Sequence, residues 1–248
     1  MQEDIYMDWL HALFLVAIGM GAGFVQRVSG FGLGIFAMMF LPHFMPSHTA
    51  AATISTLFSC ITSTFNAVCY RKNVAYRTVL PMVCASLLAI PLAVYFSAIV
   101  SARIFEQLLG VILIVLSLYF IFFNQHIRIK PTGLNGILTG AISGTLNGLF
   151  STGGPPAVLY LSSATADNIT YFATIQFYFC LSNLYSMAMR IANGMINGEI
   201  LIFAAIGIVG CMTGDLIGKR VFDRLDSDKL KRIIYIGMIL SGIIMFFS

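Results

Sequence analysis

Ser29-Gly30-Phe31-Gly32-Leu33-Gly34 interrupts an apolar run over residues 9–41. A second interruption, Ser151-Thr152-Gly153-Gly154-Pro155-Pro156, splits residues 134–161. These two breaks decide the fold. Each run is too long for one membrane helix of about 20 residues and too short for two comfortable ones. Past the first break about 12 residues remain before Pro42. They make roughly 18 Å of helix, against a hydrocarbon core of about 30 Å.

Outside the breaks, composition places the chain in a membrane. Of 248 residues, 10% are charged, where a soluble domain carries about 25%. The apolar share is 58%, there are 21 Phe, and mean hydropathy is +0.90. A soluble fold of this size cannot hide that much apolar surface. A soluble enzyme, a secreted disulfide scaffold and a nucleic-acid binder are thereby excluded. Cys60, Cys69, Cys84, Cys180 and Cys211 lie in apolar runs without a C-x-x-C pair and read as packing residues. His11, His43, His48 and His126 are scattered, so no metal and no cofactor are expected. The acidic N-terminus lacks the basic start of a signal peptide, and the first apolar segment is expected to stay in the protein.

Six further segments suit membrane helices: 49–70, 78–97, 104–123, 169–189, 200–216 and 233–247. The last two are short, within what tilt and bilayer thinning accommodate. Basic residues orient them. Arg71, Lys72 and Arg77 mark one loop, Arg128 and Lys130 a second, and six Lys and Arg within 219–232 a third. These three loops read as cytoplasmic. Arg103 and Arg190 are assigned to the opposite loops, and Arg27 lies within an apolar run. The orientation closes only if residues 134–161 begin and end on the same side. Each broken region is therefore a re-entrant hairpin or two short crossings, and the short second arms favour the hairpin.

The halves resemble each other. Ser55, Ser59 and Thr62 align with Gln176, Cys180 and Asn183, each 121 residues on. Gly21-Ala22-Gly23-Phe24 aligns with Gly140-Ala141-Ile142-Ser143. One broken region plus three spans per half makes an odd count, so the halves are inverted. The expected fold is an all-α polytopic membrane protein of two inverted repeats, 1–125 and 126–248. Each repeat is a glycine-broken re-entrant helix pair plus three transmembrane helices. Broken helices meeting near the midplane are a recurring plan of secondary transporters.

Non-helical backbone at membrane depth must be buried in protein or line a wet cavity. Glycine lets backbone N–H groups approach a ligand, and the helix after each break offers its positive end to an anion. A packing notch between helices is the plainer alternative for a single break. Two breaks at matching positions favour a site. The expected substrate-binding residues are Gln26, Arg27, Ser29, Gly30, Gly32, Gly34, Asn147, Ser151, Thr152, Gly153 and Gly154. Arg27 would draw an anion in, or else snorkel or pair within the fold. Ser55, Ser59, Thr62 and Asn66 share one helix face, and Gln176 and Asn183 the matching one. They would line the pathway, or bond helix to helix. Asp215, one turn from Lys219, reads as a local ion pair. No mid-span carboxylate, Walker motif or nucleophile–base pair stands out, so direct ATP use and catalysis are not expected.

At these residues the sequence resembles the sulfite exporter TauE/SafE family of membrane permeases. The carrying motifs are residues 23–32, Gly-Phe-Val-Gln-Arg-Val-Ser-Gly-Phe-Gly, and residues 148–156, Gly-Leu-Phe-Ser-Thr-Gly-Gly-Pro-Pro. The resemblance implies a multi-pass permease of the cell inner membrane. Its substrate would be a small sulfur-containing oxyanion, such as sulfite or an organosulfonate, exported by alternating access. An anion channel of the same architecture is the alternative. The implied partners are that anion and the lipid bilayer, with no nucleic acid; homo-oligomerisation is left open.

Overall fold

The computed structural model describes residues 9–122, 129–221, 239, 242–244 and 246–247. Among these residues the chain is all helix and turn, with no strand. The helices are α1 (Trp9–Ser29), α2 (Leu33–Phe40), α3 (His48–Cys69), α4 (Tyr76–Ile99), α5 (Ala102–Phe122), α6 (Gly133–Phe150), α7 (Gly154–Ala164), α8 (Asn168–Ala192) and α9 (Gly198–Val221). The expected span over 233–247, most of the basic loop before it, His126, Arg128 and the boundary between 125 and 126 lie outside the description.

Among the described residues, four helices are long and apolar enough to cross a membrane: α1, α3, α4 and all but the last residue of α9. Each helix after a break is short, as the spacing predicts: α2 has 8 residues and α7 has 11. The arm before the first break differs from a short hairpin arm. With 21 residues α1 extends about 31 Å, enough to cross the core alone.

The helices carry their polar residues inward. Thr53, Ser55, Thr56, Ser59, Thr62, Ser63 and Asn66 of α3 are all buried. So are Thr174, Gln176, Ser182, Asn183, Ser186 and Arg190 of α8. Leu88, Leu92, Val115, Ile142 and Val209 point outward instead. This reversal suits a lipid surround, where the hydrocarbon solvates Leu and Val and the interior must satisfy the polar groups. It also explains why α8, 25 residues long, is not among those four.

Three pairings build the bundle: α1 lies along α9, α4 along α6, and α3 against α8. The first two are close because small residues face backbone. A Cβ at Gly23 would fall 2.1 Å from the Cys211 carbonyl oxygen, and one at Gly140 2.3 Å from that of Met82. Such contacts replace hydrophobic driving force with dispersion, which is what holds helices together in lipid.

Asp167 starts α8. Its carboxylate accepts the backbone N–H groups of Ile169 and Thr170 at 3.0 and 2.9 Å, and the Thr170 hydroxyl at 2.7 Å. The Thr170 N–H bond foremost, then the Thr170 hydroxyl, holds the carboxyl below the usual carboxylate range. Its stabilisation is present above the unfolded pKa and vanishes as pH falls through the lower folded value. Asp167→Ala is expected to melt earlier than the native chain at pH 7, with the gap closing well below about pH 4. Equal melting temperatures at pH 7 would discard the cap.

Candidate functional site

Both breaks are helix ends closed by a left-handed residue. The Gly30 N–H donates to the Gln26 carbonyl at 2.8 Å with φ +79° at Gly30. The Ser151 N–H donates to the Asn147 carbonyl at 2.9 Å with φ +59° at Ser151. Serine is strained there by roughly 1–2 kcal/mol, where glycine is not. The two tips then touch. A Cβ on Gly34 would lie 1.7 Å from the Ser151 carbonyl oxygen, so only glycine lets α2 seat against the second break.

Between the tips lies a cavity whose interior volume is about 20 Å³, room for one water. Eight of the expected binding residues form its wall: Gln26, Gly32, Gly34, Asn147, Ser151, Thr152, Gly153 and Gly154. Ser59 and Asn183 of the polar stripes join them, with Phe31, Leu33, Ile35 and Phe179 as the apolar part. Asn147 Nδ2, Ser151 Oγ and Thr152 Oγ1 are buried there without a hydrogen-bond partner. A buried polar group left unpaired costs about 1–3 kcal/mol. Three such atoms share one small wall.

The tips contribute different donors. Gly32 leaves the start of α2 without a side-chain cap, and Leu33, Gly34 and Ile35 at that start line the cavity. The first N–H groups of a helix have no intrahelical acceptor. In α7, Pro155 and Pro156 follow Gly154 and have no N–H to offer. Backbone donors therefore come mainly from the first tip and side-chain donors from the second. The expectation of backbone donors at Gly153 and Gly154 gains little from α7.

Helix α8 ties both tips down. Gln176 Nε2 donates to the Gly30 carbonyl at 3.0 Å, while Gln26 Nε2 donates to Gln176 Oε1 at 3.0 Å. Thr62 Oγ1 donates to Gln26 Oε1 at 2.9 Å. At the second tip, the Tyr178 hydroxyl donates to Ser143 Oγ at 2.8 Å, and the Ser143 hydroxyl donates to the Gly153 carbonyl. Gln176 thus supports the cavity from behind.

The remaining predicted residues stand elsewhere. Arg27 is outside the cavity wall: its guanidinium donates to Asn66 Oδ1 at 3.0 Å and to the Tyr70 hydroxyl at 2.8 Å. It also sits 5.1 Å from the Phe172 ring centre. Asn66 Nδ2 in turn donates to Asp215 Oδ1 at 3.3 Å, so Asp215 joins the Arg27 cluster as well as flanking Lys219. Ser29 and Gly30 form the turn itself; the Ser29 hydroxyl bonds the Val25 carbonyl at 2.7 Å. Ser55 is buried with an unpartnered hydroxyl but is not in the wall.

One assignment is corrected. Arg190 belongs to no loop: it lies in the last turn of α8 and is 0% exposed. Its side chain folds inward because Thr53 and the Gly148 carbonyl are there to accept. The signal was in the spacing, since Gln176, Asn183 and Arg190 recur at steps of seven along one stripe of the helix.

Helices apolar toward lipid and polar at the centre close on a cavity with unpaired polar groups between two broken helices, the layout of a helical membrane protein. A family model described as Sulfite exporter TauE/SafE matches residues 15–245, nearly the whole chain. The protein belongs to that family, whose members are membrane permeases for sulfur compounds. No curated protein and no solved structure matches the chain.

Proposed function

We propose that the chain is a multi-pass secondary transporter of the inner membrane that moves a small sulfur-containing oxyanion, such as sulfite or an organosulfonate. The observation that carries this reading is the trio of buried, unpartnered donors at Asn147, Ser151 and Thr152 facing the uncapped start of α2. Neutral donors around a helix N-terminus suit an oxyanion without locking it to a counter-charge. Sulfite oxygens can accept from all of them at once.

Two inverted halves working by alternating access extend the reading. The pairing of α1 with α9 and of α6 with α4 is an exchange, as expected if α1 corresponds to α6 and α4 to α9. Gln26 and Asn147, and Gly30 and Ser151, are each 121 residues apart in matching turns. The cavity as it stands has room for a water and not for a sulfite, which supports entry by parting of the halves. With the basic loops inside, an inside-negative potential favours outward movement of a monovalent anion by about 2.3 kcal/mol per 100 mV.

Thr152→Val tests the site. It keeps the shape and removes one unpartnered hydroxyl. In proteoliposomes the KM for sulfite is expected to rise about tenfold, the equivalent of one hydrogen bond of about 1.4 kcal/mol. The melting temperature is expected to hold or rise, since a buried orphan is gone. An unchanged KM would remove Thr152 from the site. Sulfite flux without saturation or counterflow would replace the transporter with a channel.

A further inference from the structure

The negative ends of two helices point at the proposed site. Both α1 and α6 terminate at the breaks, and a helix C-terminus carries about half a negative charge on its free carbonyls. An anion held between the tips gains from the starts of α2 and α7 but is repelled by these two ends. At the first end the chain supplies a cation from the helix itself: Arg27 lies in the last turn of α1. The position 121 residues on, matching Gln26 with Asn147 and Gly30 with Ser151, is Gly148. The second helix end therefore has no cation of its own.

Arg190 reaches that place from α8. Its Nη2 donates to the Gly148 carbonyl at 2.7 Å, one of the last-turn carbonyls of α6 with no acceptor role inside the helix. Its Nη1 donates to Thr53 Oγ1 at 3.4 Å, and its Nε is buried without a partner. Among the described residues no carboxylate shares a hydrogen bond with it, whereas Arg27 is joined through Asn66 to Asp215. A fully buried guanidinium bonded to no described carboxylate is expensive in a membrane helix, and such residues mark substrate and ion pathways. Arg190 lies seven residues beyond Asn183 of the cavity wall, about 10 Å along the helix. At that distance, and screened little by the low-dielectric surroundings, its charge acts on the site without touching the substrate.

We infer that Arg190 is the second half's counterpart of Arg27: a positioning residue that neutralises the C-terminal end of α6 and sets the preference of the cavity for anions. This rests on the transporter reading above. The two guanidiniums would stand at opposite ends of the α3–α8 pair, Arg27 by Asn66 and Arg190 by Thr53, with the cavity at Ser59 and Asn183 between them.

The experiment compares native protein, Arg190→Gln and Arg190→Lys in proteoliposomes, with sulfite at varied concentration as the probe. Recovery as a monodisperse species in detergent is checked for each. The glutamine variant is expected to raise the KM for sulfite at least tenfold with a smaller change in the maximal rate. The lysine variant, which keeps the charge and loses the planar fork, is expected to stay within about threefold of native. Equal KM in native and glutamine forms overturns the role of Arg190 while leaving the transporter reading intact. If the glutamine form is not recovered, the lysine form decides: a folded protein whose KM rises more than tenfold shows that charge is not what the site needs, and overturns the inference. No saturable sulfite or sulfonate flux in the native protein overturns the transporter reading itself, and the inference falls with it.

Discussion

Gly34→Ala is expected to cut saturable sulfite flux by about a hundredfold while leaving the protein in the membrane. The new methyl carbon would sit 1.7 Å from the Ser151 carbonyl oxygen. Non-bonded carbon and oxygen need roughly twice that, and neither group can rotate away, because one is helix backbone and the other is the turn that closes α6. The start of α2 must therefore back off from the second tip. Overpacking of this kind costs about 1–3 kcal/mol, which a bundle of this size can survive. The cavity cannot, because its donors come from both tips and work only when both face the same volume. Two neighbours serve as controls. A Cβ at Gly154 meets the Phe31 ring at 3.1 Å, and a side chain can give way, so Gly154→Ala is expected to change the KM only a few-fold. At Gly133 nothing lies within 4 Å, and Gly133→Ala is expected to be neutral in flux. Native flux from Gly34→Ala would mean that the tips are not joined during transport.

The difference between those glycines shows what the sequence can and cannot deliver. The breaks at Ser29–Gly34 and Ser151–Pro156 were legible because polar and glycine residues in an apolar run have few other uses. The stripes on α3 and α8 were legible for the same reason, through steps of three, four and seven. Most of the cavity wall came from these two signals. Partners were not legible. Arg27 finds Asn66 39 residues away and, through it, Asp215 149 residues further on, and no local pattern encodes such a meeting. Arg190 looked like a loop charge because the expected span over 169–189 stops one residue before it. Its burial depends on Gly148, in another helix, leaving a carbonyl free to accept. The apolar wall residue Phe179 gave no signal at all, since the chain has 21 Phe and any of them could be lipid-facing. The fold class follows from solvent physics and is local in sequence; the site is a set of long-range contacts.

Helix α8 is where those contacts converge, and it explains why the tips keep their shape. A turn of three non-helical residues in a membrane has several unpaired groups and no water to satisfy them. Here Gln176 serves the first turn, Tyr178 through Ser143 serves the second, and Arg190 serves the helix that leads into it. The polarity that lowers the hydropathy of α8 is thus the condition for having two irregular segments beside it.

Gln176→Leu is therefore expected to have the second large effect, on stability and transport together. Leucine fills the space but leaves the Gly30 carbonyl and Gln26 Nε2 without partners, both buried. Each orphan costs about 1–3 kcal/mol, although hydrogen bonds in membranes average nearer 0.6 kcal/mol because the reference state also finds partners. A loss of about 2 kcal/mol is expected, read as an earlier melt in detergent. Gln26→Leu alone is expected to lose a similar amount, since it strands Gln176 Oε1 and one bond of Thr62. The double variant should not lose the sum. With both glutamines gone, only the Gly30 carbonyl keeps an unmet need, so the pair is expected to be less costly than additive by about 1 kcal/mol, the range for residues in one network. Additivity within about 0.5 kcal/mol would show that the two amides act separately and that the Thr62–Gln26–Gln176–Gly30 chain is not a unit. Flux divides the variants further. Gln26 forms part of the cavity wall and Gln176 does not, so at matched stability Gln26→Leu is expected to raise the KM for sulfite more than Gln176→Leu does. The reverse order would move the binding surface away from the tip of α1 and toward α8.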